Sequence, residues 1–112
     1  MASDIHLKDE CVQACLDCAK ACETCVARCC ASGDRNLSTC ANLCLDCARF
    51  CYDCVSLMSR DSEFVGRLCE VCAEVCDRCA EECGRSDRDF CRKCAEACRR
   101  CAEHCRHVLA AA

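Results

Sequence analysis

The chain has 112 residues, a formal net charge of −4, no proline, three glycines and 22 cysteines. Net negative charge excludes the basic footprint of a nucleic-acid binder, and no apolar run reaches the length of a membrane span. Aromatics are 4% of the residues and most of the 54% hydrophobic fraction is cysteine and alanine, which excludes a large conventional core of leucine, isoleucine and valine.

The first predicted element is a helix over residues 4–32. Its stretch CVQACLDCAKACETCVARC sets Cys11, Cys15, Cys18, Cys22, Cys25 and Cys29 at gaps that alternate four and three. That spacing is the inward seam of a helix packed in a bundle. Cys30 alone falls off the seam. Gly33 follows, at a position suited to ending the helix in a left-handed residue.

A second helix is predicted over 36–59, with Cys40, Cys44, Cys47, Cys51 and Cys54 on its seam. After a short break at 59–62, a third is predicted over 62–84, capped by Asp61 or Ser62. It carries Cys69, Cys72, Cys76, Cys79 and Cys83, and Gly84 is read as its terminator. The fourth, over 87–108, carries Cys91, Cys94, Cys98, Cys101 and Cys105. Ser86 with Asp89 forms a loose capping box before it.

Good helix formers fill the outer faces, and alanines such as Ala19, Ala48, Ala73 and Ala95 flank the seams. The repeated unit is C-x-x-x-C-x-x. Short breaks favour antiparallel neighbours. The expected fold is all-α: an antiparallel up-down four-helix bundle with a Cys-lined core, one domain over residues 1–112.

Packing alone does not explain 21 seam cysteines, because leucine buries more apolar area. Disulfides within a helix fit poorly. Residues three or four apart hold their Cβ atoms about 5–6 Å apart, against about 3.5–4.5 Å in a disulfide. Structural zinc uses C-x₂-C knuckles on turns, and iron–sulfur clusters use loop cysteines. Cu(I) is soft and satisfied by two or three thiolates. Nine C-x₃-C pairs, from Cys11/Cys15 to Cys101/Cys105, each present two sulfurs on one helix face.

By this ligand logic the capacity is about 11 ions at two thiolates each, rising to about 22 with bridging. All 22 cysteines are therefore candidate ligands; Cys30 reads either as a ligand at the mouth opposite the start of the first helix or as an exposed thiol. Without cations, so many buried thiolates cannot coexist, so the apo core is expected to be protonated. The start MASDIHLKDE lacks a secretion pattern, and reduced thiols belong to the cytosol, so a cytoplasmic location is expected. The alternatives are a general thiolate sink for zinc or cadmium, of metallothionein type, and a disulfide-locked or redox structural protein.

The stretches Cys11–Cys29 and CEVCAEVCDRCAEECGRSDRDFCRKCAEACRRCAEHC, Cys69–Cys105, resemble the copper storage proteins, specifically their cytosolic bacterial branch. The resemblance covers nearly the whole chain. It implies a bundle that binds many Cu(I) ions in its core, no catalytic turnover and a homotetramer. Copper ions and a copper chaperone or small-thiol carrier are the expected partners, with neither nucleic acid nor membrane. It also suggests that copper enters where the start of the first helix meets the ends of the second and fourth. His6, Met58, His104 and His107 gather there. His104, three residues after Cys101, is the expected auxiliary ligand.

Overall fold

The computed structural model describes residues 2–111. Four helices follow one another: α1 (Ala2–Ser32), α2 (Ser38–Ser59), α3 (Val65–Gly84) and α4 (Asp89–Ala111), with a one-turn 3₁₀ helix at Arg35–Leu37. Each packs on its chain neighbours, and α4 closes the ring against α1. The result is a rod of 48 × 19 × 18 Å, the up-down bundle that the seam spacing predicts. Ion pairs tie its ends and sides. Lys8 at the start of α1 meets Asp61 after α2 at 2.9 Å, and Arg106 of α4 pairs with Asp77 of α3.

The seams turn inward because no other face is apolar enough to bury. Ala19, Ala48, Ala73, Ala80, Ala95 and Ala102 are buried beside the cysteines. With only a methyl group at these positions, neighbouring helices approach closely enough for sulfurs from different helices to touch. Among the described residues no polar or charged side chain is buried, so the charged residues form the solvated outer faces.

The starts of α2, α3 and α4 depart from expectation. Before α2, Asp34 accepts a hydrogen bond from the Asn36 amide at 2.9 Å and caps the 3₁₀ turn. The second α-helix therefore starts at Ser38 rather than 36, with Leu37 buried beneath the turn. Ser62 does not cap α3 directly. Its hydroxyl accepts from the Phe64 amide at 3.1 Å, a local turn that competes with helix and delays the start to Val65. Asp61 takes φ 52 in that turn. Ser86 behaves alike, accepting from the Arg88 amide at 3.1 Å. Asp89 pairs forward with Lys93 at 3.0 Å instead of completing a capping box.

Gly33, at φ 70, ends α1 in the left-handed region as expected. Gly84 does not: it is the last residue of α3, and Arg85 after it stays right-handed at φ −77. A Cβ on Gly84 would meet only the flexible tip of Arg99, at 3.0 Å. Gly84→Ala is therefore expected to stabilise the protein by about 0.5 kcal/mol through lower unfolded-chain entropy. Gly33→Ala is expected to cost about 1 kcal/mol in left-handed strain. Paired urea melts check both.

Candidate metal centre

Antiparallel packing converts four seams into stacked layers of sulfur. Beside the α1 start lie Cys11, Cys54, Cys69 and Cys105, with Cys11 and Cys105 sulfurs 3.7 Å apart. Next come Cys15, Cys51, Cys72 and Cys101, where Cys101 reaches Cys15 at 3.6 Å and Cys51 at 3.8 Å. The middle layer is Cys18, Cys47, Cys76 and Cys98; Cys18 sits 3.7 Å from both Cys47 and Cys98, and Cys47 sits 3.6 Å from Cys76. Cys44 ties the fourth layer, 3.7 Å from Cys79 and 3.5 Å from Cys94, and Cys94 reaches Cys22 at 3.7 Å. In the fifth, Cys25 lies 3.9 Å from Cys40 and from Cys91, and Cys40 touches Cys83. Cys29, the extra cysteine of α1, contacts Cys25 at 3.9 Å.

All of these cysteines are buried free thiols; Cys30 is the exposed one. Sets of four sulfurs that lie within 4.8 Å of one another bridge adjacent layers: Cys15, Cys72, Cys101 and Cys105 form one, and Cys22, Cys79, Cys94 and Cys98 another. The sets overlap. Cys18 and Cys47 each belong to two. Shared sulfurs make the core one continuous column of candidate ligands rather than a row of separate sites. A metal–thiolate bond is about 2.3 Å for zinc, so two sulfurs on one ion of that kind lie about 4 Å apart, the spacing already present.

Burial pushes the thiols up. Cys29 is held at about 12, first by burial, and Cys91 is raised for the same first reason. Deeper in, contacts between sulfurs set the balance. Cys15 is pushed up, first by its hydrogen bond with Cys101, and Cys105 is pulled down, first by its own with Cys101. Contacts of this kind raise some members and lower others, whereas burial acts upward on each of these four. Protons held among such closely spaced sulfurs are displaced when a thiophilic cation binds.

At the α1 start, the seam ends in buried Met58, Val65 and Val108, with Leu7 packed against them. His104 is partly buried, and its Nδ1 is enclosed without a hydrogen-bond partner. Its ring meets that of His107 edge-on at 5.8 Å. His107 is exposed, 4.0 Å from Glu103, and His6 is exposed. The described geometry thus brings together the 21 seam cysteines and sets His104 beside them, while leaving Cys30, His6 and His107 outside. Spacing alone did not reveal Leu37 as a buried plug at the other end; its only signal is a lone leucine before a cysteine seam.

The comparisons with known proteins agree with this chemistry. The family model described as Csp, copper storage protein, matches residues 5–110. Apo copper storage protein 3 from Bacillus subtilis is 42% identical at a TM-score of 0.84, covering 90% of this chain and 97% of its own. The Cu(I)-bound copper storage protein BsCsp3 is 40% identical at 0.89, covering 92% and 98%. A cytosolic copper storage protein from Streptomyces lividans, loaded with five coppers, is 32% identical at 0.91, covering 98% of each chain. No curated protein sequence matches. Nearly the whole length of a column-forming sequence is thus matched by one family, and the chain belongs to the copper storage proteins.

Proposed function

We propose that this protein stores Cu(I) by coordinating many ions to the thiolates of its core. The overlapping four-sulfur sets carry the reading. A thiolate shared between neighbouring ions lets one column neutralise its own charge as it fills. Storage follows from number: transfer or sensing needs one or a few sites, whereas 21 converging thiols serve mass-action buffering and detoxification without turnover.

The proposed ligands are the seam cysteines Cys11 to Cys105. His104 joins them through Nδ1, supported by that atom's burial without a partner. Cys30 binds at the surface of the far end. Residues 1–112 act as a single copper-binding domain. A cytoplasmic location is supported by the likeness to the cytosolic Streptomyces lividans protein; among the described residues no helix is long and apolar enough to cross a membrane. Assembly as a homotetramer is supported by the family resemblance and by exposed Leu16, Leu45 and Tyr52 on α1 and α2. A copper chaperone or small-thiol carrier delivers and collects the ions.

Anaerobic Cu(I) titration with metal analysis tests the reading. At least about 11 tightly bound ions per chain are expected, the two-thiolate limit; fewer than about five would make storage the wrong description. Replacing the middle layer, Cys18, Cys47, Cys76 and Cys98, by serine is expected to lower the count by at least about two on the same logic. Zinc competes for four-sulfur sets, but a closed site takes four thiolates of its own. Competition between Cu(I) and Zn(II) is therefore expected to end with zinc displaced.

A further inference from the structure

Beyond the fifth sulfur layer the four seams run out unequally. The next seam positions after Cys29 are Ser32 and Gly33, and those after Cys83 are Ser86 and Asp87. Before Cys91 they are Asp87 and Arg88. Only the seam of α2 continues in an apolar side chain: Leu37, three residues before Cys40. Leu37 is buried and belongs to the core cluster. Two clefts open beside it, of about 350 Å³ and about 380 Å³. Cys29 lies in the wall of the first, Cys40 in the wall of the second, and Leu37 in both. One side chain thus stands between solvent and the last layer on two sides.

The turn that carries Leu37 is pinned at several points. The Ser32 hydroxyl donates to the Cys29 carbonyl at 2.7 Å and accepts from the Asp34 amide at 3.1 Å. Asp34 accepts from the Asn36 amide at 2.9 Å through one carboxylate oxygen. Its other oxygen meets Arg88, in the α3–α4 connection, at 3.5 Å. The Leu37 amide donates to the Asp34 carbonyl at 3.1 Å. An exposed ion pair such as Asp34–Arg88 contributes little, so the cap on Asn36 and the burial of Leu37 itself hold the turn down.

We infer that Leu37 is a retention residue: it seals the fifth layer, so that an ion held by Cys25, Cys29, Cys40, Cys83 and Cys91 does not leave through this end. The inference rests on the storage reading and adds the side chain that keeps the cargo in. Taking Cu(I) from a thiolate requires a competing ligand to reach the ion, and the apolar shell around a site sets that access. The sulfurs behind Leu37 form one group. Cys25 lies 3.9 Å from Cys29, Cys40 and Cys91, and Cys40 touches Cys83. A breach at Leu37 therefore opens the whole layer rather than one ligand.

Two measurements test the seal. In the first, copper-loaded protein is mixed with excess bathocuproine disulfonate, a Cu(I) chelator, and release is followed by the absorbance of the chelate. Leu37→Ala is expected to add a fast phase of about two ions, from five sulfurs at two per ion. That phase is expected to run at least about tenfold faster than release from the parent. Leu37→Ile, which keeps the apolar volume, is expected to abolish the fast phase. In the second, reduced apo-protein receives limiting iodoacetamide, and modified sites are mapped by peptide mass. Leu37→Ala is expected to speed modification of Cys29, Cys40, Cys83 and Cys91 and to leave Cys11, Cys54, Cys69 and Cys105 at the parent rate. Equal acceleration at both ends means general loosening and overturns the inference, as does a folded Leu37→Ala without the fast phase. If circular dichroism shows that Leu37→Ala has lost its helices, Asp34→Ala, which removes the cap at the surface, takes its place; the same fast phase is expected, and its absence overturns the inference. The ion count of the parent separates the two ideas: a low count sinks storage itself, whereas a full count with the wrong release pattern sinks only the seal.

Discussion

Anaerobic loading with Cu(I) is expected to raise the melting temperature by roughly tens of degrees. The apo core is built from cysteine and alanine, small side chains that bury little apolar area each. Its stability therefore starts low. An ion bound only by the folded chain contributes about 4 kcal/mol when present at a thousand times its dissociation constant. In a domain of this size, about 1 kcal/mol moves the melting temperature by roughly 4–8 °C. The unfolded chain also carries thiols that bind copper, which lowers the gain per ion. What it lacks is convergence: only folding puts Cys18, Cys47 and Cys98 within contact of one another. Stepwise loading followed by circular dichroism at each ratio measures the effect. An unchanged melting temperature at saturation would place the copper outside the core.

Alkaline pH is expected to unfold the apo-protein and spare the loaded one. Burial holds Cys29 at about 12 and Cys91 above the ordinary value of 9.0, and Cys15, Cys22 and Cys51 are raised by contacts with neighbouring sulfurs, while other core thiols such as Cys18 and Cys105 are pulled down by theirs. A group raised on folding contributes stability that is complete below the unfolded value and is lost as pH rises toward the folded one. The loss therefore begins near pH 9 and grows upward through about 12. Each thiol that ionises only in the unfolded chain removes about 1.4 kcal/mol per pH unit. Native domains hold only about 5–15 kcal/mol in total, and the core has many such thiols. Ellipticity at 222 nm is expected to collapse between about pH 9 and 11 in the apo form, on the same linkage. In the loaded form the sulfurs hold metal rather than protons, so this loss vanishes. An apo bundle still helical at pH 11 would mean that its thiols ionise in place.

Cysteine spacing made the bundle readable. Gaps of three and four along each stretch define one helical face, and four such faces have nowhere to go but one another. The same spacing made the buried thiols readable, because Cys11 to Cys105 occupy the positions a bundle buries. Helix ends were harder. Ser62 and Ser86 resemble caps in a string of letters, but each forms its own two-residue turn and pushes the helix start onward. Gly84 resembles a terminator, yet α3 runs through it in right-handed geometry.

The sequence by itself determined the helices, the inward face and the softness of the donor atoms, since these follow from local periodicity and side-chain chemistry. Only the tertiary structure decided which sulfurs share a layer, how the four-sulfur sets overlap, and that Met58, Val65 and Val108 are buried at the α1 start beside the partly buried His104. Those facts depend on the relative axial offset of four rods. Side chains from distant parts of the chain set that offset by packing, and no local pattern encodes it.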